Sequence, residues 1–71
     1  MPKLITKPHE LEKILLRHGF ILMRQTGSHR IYYSQSSKAK TTVPFHLKDM
    51  AKGTANSIVR QSRLPRKNFL K

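Results

Sequence analysis

A histidine set directly after a tight turn is the most reactive arrangement in this 71-residue sequence. In Gln25-Thr26-Gly27-Ser28-His29-Arg30-Ile31-Tyr32-Tyr33, the triplet Thr26-Gly27-Ser28 makes the turn and His29 heads an alternating aromatic run. Glycine adopts backbone conformations that other residues resist, so the chain can reverse there between two strands. An imidazole at a strand mouth, beside an arginine and in a cationic chain, is placed for proton transfer on a nucleic acid. The plainer alternative is a histidine on the solvent side of a hairpin. His46, after Val43-Pro44, is a candidate second proton-transfer group. His9 and His18 fall in a helix and read as structural.

The acids narrow the chemistry. Metal-assisted phosphodiester cleavage needs clustered carboxylates to hold hard cations. Glu10 and Glu12 point to different sides of a helix, and Asp49 lies far along the chain. No metal or other cofactor is expected. If the nucleic acid is RNA and is cut, its 2′-hydroxyl is the nucleophile left, with a histidine taking or giving the proton and cations stabilising the developing charge. Arg24, Arg30 or the lysines Lys38 and Lys40 can supply that charge and hold RNA. The turn N–H groups of Gly27 and Ser28 can bind a phosphate oxygen. In a regular strand Arg30 points to the opposite face from His29, which favours Arg24 or a loop lysine.

Composition agrees with an anionic partner. Fifteen lysines and arginines face three acids, a formal net charge of +12. Such an excess repels itself and is usually offset by a polyanion or an acidic protein. No stretch approaches the roughly 20 apolar residues of a membrane span, and the N-terminus has no signal-peptide core, so a small cytosolic protein is expected. There is no cysteine, which removes disulfides, thiolate catalysis and zinc ribbons.

The elements that must position these residues are readable in order. Residues Thr6 to His18 read as a helix, with Thr6 or Lys7 as cap and Pro8 in the first turn. Leu11, Ile14 and Leu15 share its apolar face, His18 continues the stripe, and Gly19 closes the end. Phe20 to Thr26 is a first strand, with Phe20, Leu22 and Arg24 on one face and Ile21, Met23 and Gln25 on the other; apolar residues on both faces suggest a buried start. His29 to Ser34 is a second strand, with His29, Ile31 and Tyr33 opposite Arg30, Tyr32 and Ser34. Gln35 to Ala39 is a polar loop, and Lys40 to Val43 is a third strand stopped by Pro44. Short connections make the sheet an antiparallel meander. A connection with apolar anchors, Phe45 to Lys52, leads to a second helix capped by Thr54. Its stripe is Ala55, Ile58, Val59 and Ser62, and Pro65 prevents continuation beyond Leu64. Phe69 and Leu70 in the tail can pin the end to the body. The expected architecture is a single α+β domain, α-β-β-β-α, with both helices on one sheet face, the layout of the double-stranded-RNA-binding fold.

Several blocks together resemble a known family. Gly19-Phe20 after an amphipathic helix, Arg24-Gln25-Thr26-Gly27-Ser28-His29, Thr42-Val43-Pro44 with His46, and Lys52-Gly53-Thr54 before an Ile58-containing helix stand in order and at compatible spacing. The match runs from about Leu11 to Leu70 and is similar to HicA, the small mRNA interferase toxins of HicAB systems. The resemblance implies a ribonuclease of double-stranded-RNA-binding-like fold, inhibited by a HicB antitoxin, with the catalytic histidine at His29. The Gln35 to Lys40 loop departs from the pattern, lacking the glycine-rich turn expected between the second and third strands. A non-catalytic double-stranded-RNA-binding module is the alternative that fold and charge alone would allow.

Overall fold

The computed structural model describes residues 1–46 and 48–71. Helix α1 (Pro8–Arg17) leads into strands β1 (Phe20–Thr26), β2 (His29–Ser34) and β3 (Lys40–Pro44), followed by helix α2 (Lys52–Ser62) and a 3-10 turn, Arg66–Phe69. The sheet is an antiparallel meander in the order β1-β2-β3. The α+β architecture is the expected one.

Helix boundaries differ slightly from the sequence pattern. Pro8 opens α1 because its fixed φ suits the first helical position and its missing N–H has no partner to lose there. Lys7 is the cap residue and makes no side-chain cap bond. Thr6 is occupied elsewhere: its hydroxyl donates to Asp49 Oδ1 at 2.8 Å, and its carbonyl accepts from Met50 N at 2.9 Å. His18 does not continue the apolar stripe. It is exposed at the C-cap, with Nδ1 2.9 Å from the Ile14 carbonyl. Helix α2 begins at Lys52 with Ala51 as its cap, so Thr54 lies inside the first turn rather than capping it. It ends at Ser62, and its C-cap residue Arg63 takes the left-handed conformation (φ +60°) usually left to glycine.

Both helices cover one face of the sheet. Leu11, Ile14 and Leu15 of α1 meet Ala55, Ile58 and Val59 of α2 over Phe20, Tyr32 and Val43, and Met50 and Phe69 close the core. Each large apolar side chain buried here contributes about 1.5–3 kcal/mol. Strand β1 is less buried than its composition suggests. Only Phe20 is covered, whereas Ile21, Leu22 and Met23 are 59%, 45% and 46% exposed. The reason is position: β1 is an edge strand, and α2 packs over β3 at the other edge.

The chain ends hold each other. Lys3 N donates to Lys71 O at 3.0 Å, Lys71 N to Lys3 O at 2.8 Å, and Ile5 N to Phe69 O at 2.8 Å, making a short antiparallel bridge at Leu4 and Leu70. The tail therefore pins to the body as expected, but through backbone pairing as well as through buried Phe69. Leu47, counted among the connection's apolar anchors, lies outside the described residues; Phe45 is half-buried and Met50 buried. Among the described residues no helix is long and apolar enough to cross a membrane.

Candidate catalytic site at the mouth of the first hairpin

The turn between β1 and β2 has only two loop residues, because Thr26 and His29 are already paired. Gly27 has φ +59°, the positive value required at the first position of some two-residue hairpin turns and strained for any L side chain. Gln25 Nε2 donates to the Gly27 carbonyl at 3.0 Å and braces the turn from within. A second tie comes from β3. Phe45 N donates to the Ser28 carbonyl at 2.7 Å, which draws the chain after Pro44 back across the turn.

That tie brings the two candidate histidines together. His29 pairs with Pro44 in the register, and His46 follows two residues later. The ring centroids of His29 and His46 are 5.7 Å apart with their planes at 63°. Ser28 Oγ lies 3.2 Å from His46 Nδ1. Whichever of the two donates, Nδ1 is occupied and Nε2 is the nitrogen left to act. Both rings are exposed.

An irregularity in β1 adds a cation to this face. Six steps of β1 (Phe20 to Thr26) oppose five of β2 (His29 to Ser34), so the register shifts between Leu22 and Arg24 and Met23 is left unpaired. A bulge of one residue flips the side-chain alternation beyond it. The strict alternation read from sequence sets Arg24 with Phe20 and Leu22; the bulge instead pairs it with Ile31, on the His29 face. Lys40 pairs with Tyr33 on that same open face. Lys38 sits in the β2–β3 turn at the far end of β2, about 16 Å from His29 at the rise of an extended strand. There it has φ +64°, so a lysine occupies the left-handed position where the family pattern led us to expect glycine.

Arg30 lies on the helix-covered face, as alternation required. Its Nη1 is 2.9 Å from Glu12 Oε2, and Tyr32 OH donates to the same carboxylate oxygen. Its guanidinium carbon is 4.1 Å from the centre of the Phe45 ring, whose other neighbour is His9, edge-on at 5.3 Å. Hydrogen bonding to Tyr32 and Glu12 holds the guanidinium above its ordinary pKa. Burial, followed by the hydrogen bond to Glu12, pushes the Tyr32 phenol well above its usual value. The structure thus brings His29, His46, Ser28 and Arg24 to one region and holds Arg30 behind it. Sequence patterning gave no sign of the Glu12–Arg30–Phe45–His9 arrangement, which joins residues distant along the chain.

The acids are committed. Glu12 serves Arg30 and Tyr32, and Asp49 accepts from Thr6. Glu10 pairs with Lys71 at 2.7 Å, a contact that lowers its pKa. No individually curated protein matches the chain significantly. Residues 8–64, from the first residue of α1 to the one after the left-handed cap of α2, match the HicA toxin of bacterial toxin–antitoxin systems, and the chain belongs to that family of toxins.

Proposed function

We propose that this toxin is a metal-independent endoribonuclease in which His29 and His46 divide two proton transfers. The observation that carries the reading is the approach of the two imidazoles to 5.7 Å beside a glycine turn. One neutral imidazole takes the proton of the RNA 2′-hydroxyl as the 2′-oxygen bonds to phosphorus. The other, protonated, gives its proton to the departing 5′-oxygen as the phosphorus–oxygen bond breaks. The products are a 2′,3′-cyclic phosphate and a free 5′-hydroxyl. Arg24 and the turn N–H groups of Gly27 and Ser28 stabilise the charge gathering on the phosphorane oxygens. Lys38, Lys40 and Arg30 lend binding charge at a distance, Arg30 from behind the sheet. No carboxylate is needed in this scheme, in keeping with three acids already bonded elsewhere.

His29→Ala is the test. It should lower cleavage by about 10²–10⁴-fold, the usual worth of a general acid or base, while RNA binding persists. A single deoxynucleotide at the cleaved position should stop cutting and leave binding nearly intact, and activity should survive excess chelator. Wild-type protein that binds RNA and cleaves none would leave only a binding module.

The antitoxin, in this reading, is a HicB-like protein with an acidic surface that covers Gly27, Ser28 and His29. A net charge of +12 favours fast capture by an acidic surface. Hydrogen exchange at the turn should slow in the complex. A turn left open to RNA in that complex would mean inhibition by another route.

A further inference from the structure

We propose that the cleft between the start of α1 and the β3–α2 connection is a binding subsite for one unpaired nucleotide next to the scissile bond. This rests on the reading of the chain as an RNA-cutting enzyme and adds where a flanking residue of the substrate goes. The cleft has a volume of about 560 Å³, within the range that holds small organic ligands and too large for a phosphate group alone. Phe45 and Pro8 give it apolar surface, Lys7 and Lys48 give it cations, and His9 and His46 line it as well. A nucleotide asks for that combination: flat apolar surface for the base and positive charge for the phosphate.

His46 is what joins the cleft to the chemistry. Its ring lines the cleft and also stands 5.7 Å from His29, so a strand reacting between the two imidazoles has its next residue at the cleft mouth. The two carboxylates on the lining do not oppose the phosphate strongly. Glu10 is paired with Lys71, and Asp49 accepts from Thr6, so that among the described residues Lys7 and Lys48 are the lining lysines in no ion pair. The ring of Phe45 is held from behind by the Arg30 guanidinium, itself anchored on Glu12, so the apolar wall is fixed before a ligand arrives. A concave site of this size takes a base that is not stacked in a helix, which makes the preferred substrate single-stranded at this position.

The experiment uses the full chain carrying His29→Ala, so that bound RNA stays uncut and the result does not depend on catalysis. Binding of a short single-stranded RNA is compared in two further variants, Lys7→Gln/Lys48→Gln in the cleft and Lys52→Gln/Lys67→Gln outside it, which lose equal charge. The cleft pair should weaken binding by about tenfold or more, and the outer pair by only about two- to threefold. In parallel, adenosine 5′-monophosphate should shift the ring resonances of His9, Phe45 and His46 in a saturable way, and inorganic phosphate should do so at least tenfold more weakly. Equal losses for the two pairs, or equal affinity for phosphate and nucleotide, would overturn the subsite. Neither result would touch the role of His29, which is judged by cleavage in the wild-type protein.

Discussion

The two faces of β2 are made from alternate residues of one strand and have opposite fates. On the helix side, Arg30, Tyr32 and Ser34 are bonded or buried: Tyr32 is fully enclosed, and Glu12 gathers both the phenol and the guanidinium. On the open side, His29 is exposed and Ile31 and Tyr33 are half-buried, with Arg24 and Lys40 beside them and no helix above. Six residues thus divide a packed face from an open one by parity alone. Polar groups on the covered face mostly find partners, because an unpaired buried one costs about 1–3 kcal/mol; Arg30 Nε is the exception among the described residues. Polar groups on the open face need none and stay available to a ligand.

The sharpest way to break this contrast is to exchange its two signatures. His29→Ala should lower the cleavage rate by about 10²–10⁴-fold and shift unfolding free energy by less than about 0.5 kcal/mol, as an exposed site away from the core does. Glu12→Ala should do the reverse. It strands the Tyr32 hydroxyl and the Arg30 guanidinium together, and urea denaturation should register a loss of about 2–3 kcal/mol. A destabilisation from His29→Ala as large as that from Glu12→Ala would dissolve the division.

Alkaline pH probes the covered face without mutation. The Tyr32 phenol titrates higher in the folded protein than in the unfolded chain, so its contribution to stability is complete below about pH 10, the ordinary tyrosine value. As pH rises past that point the unfolded chain loses its proton first, and stability should fall. Tyr32→Phe should flatten that decline. A decline unchanged in the variant would assign it to other groups.

Most of the fold was legible because it depends on spacing. The stripe Leu11, Ile14, Leu15, the stripe Ala55, Ile58, Val59, Ser62 and the turn at Gly27 are local signals, and each sits where periodicity placed it. Three features escaped. The Met23 bulge arises from matching seven residues of β1 to six of β2, a property of pairing that no single strand encodes. The exposure of Ile21, Leu22 and Met23 follows from where the helices lie, and the same residues would suit a buried strand. The cap at Ala51 rather than Thr54 left no local sign, since neither end of the choice is fixed by a side-chain bond. At the candidate site, motif and charge pointed to His29 and left His46 open. The Phe45–Ser28 backbone bond that sets the two rings together is a contact between distant segments.

The smallest effect concerns the other turn. The β2–β3 connection puts Lys38 at φ +64°, a conformation that costs a residue with a side chain roughly 1 kcal/mol. Lys38→Gly should relieve it and raise the unfolding free energy slightly, by about 0.5 kcal/mol or less after the added freedom of the unfolded chain is subtracted, which urea denaturation reads. Gly27→Ala, at φ +59°, should move stability the opposite way and by more. A stabilising Gly27→Ala would mean that the two turns are not equivalent in backbone demand.

The bulge in β1 also bears on how the protein behaves at high concentration. An edge strand with three consecutive exposed apolar residues, Ile21-Leu22-Met23, is a template for stacking one molecule's sheet onto another's. The unpaired Met23 bends that edge out of the flat geometry stacking requires, and a charge of +12 keeps free molecules apart. A bound polyanion would cancel the second safeguard and leave the first. Deleting Met23 should therefore produce a chain that stays dispersed alone and forms insoluble assemblies once a polyanion is added, a lesion visible by light scattering.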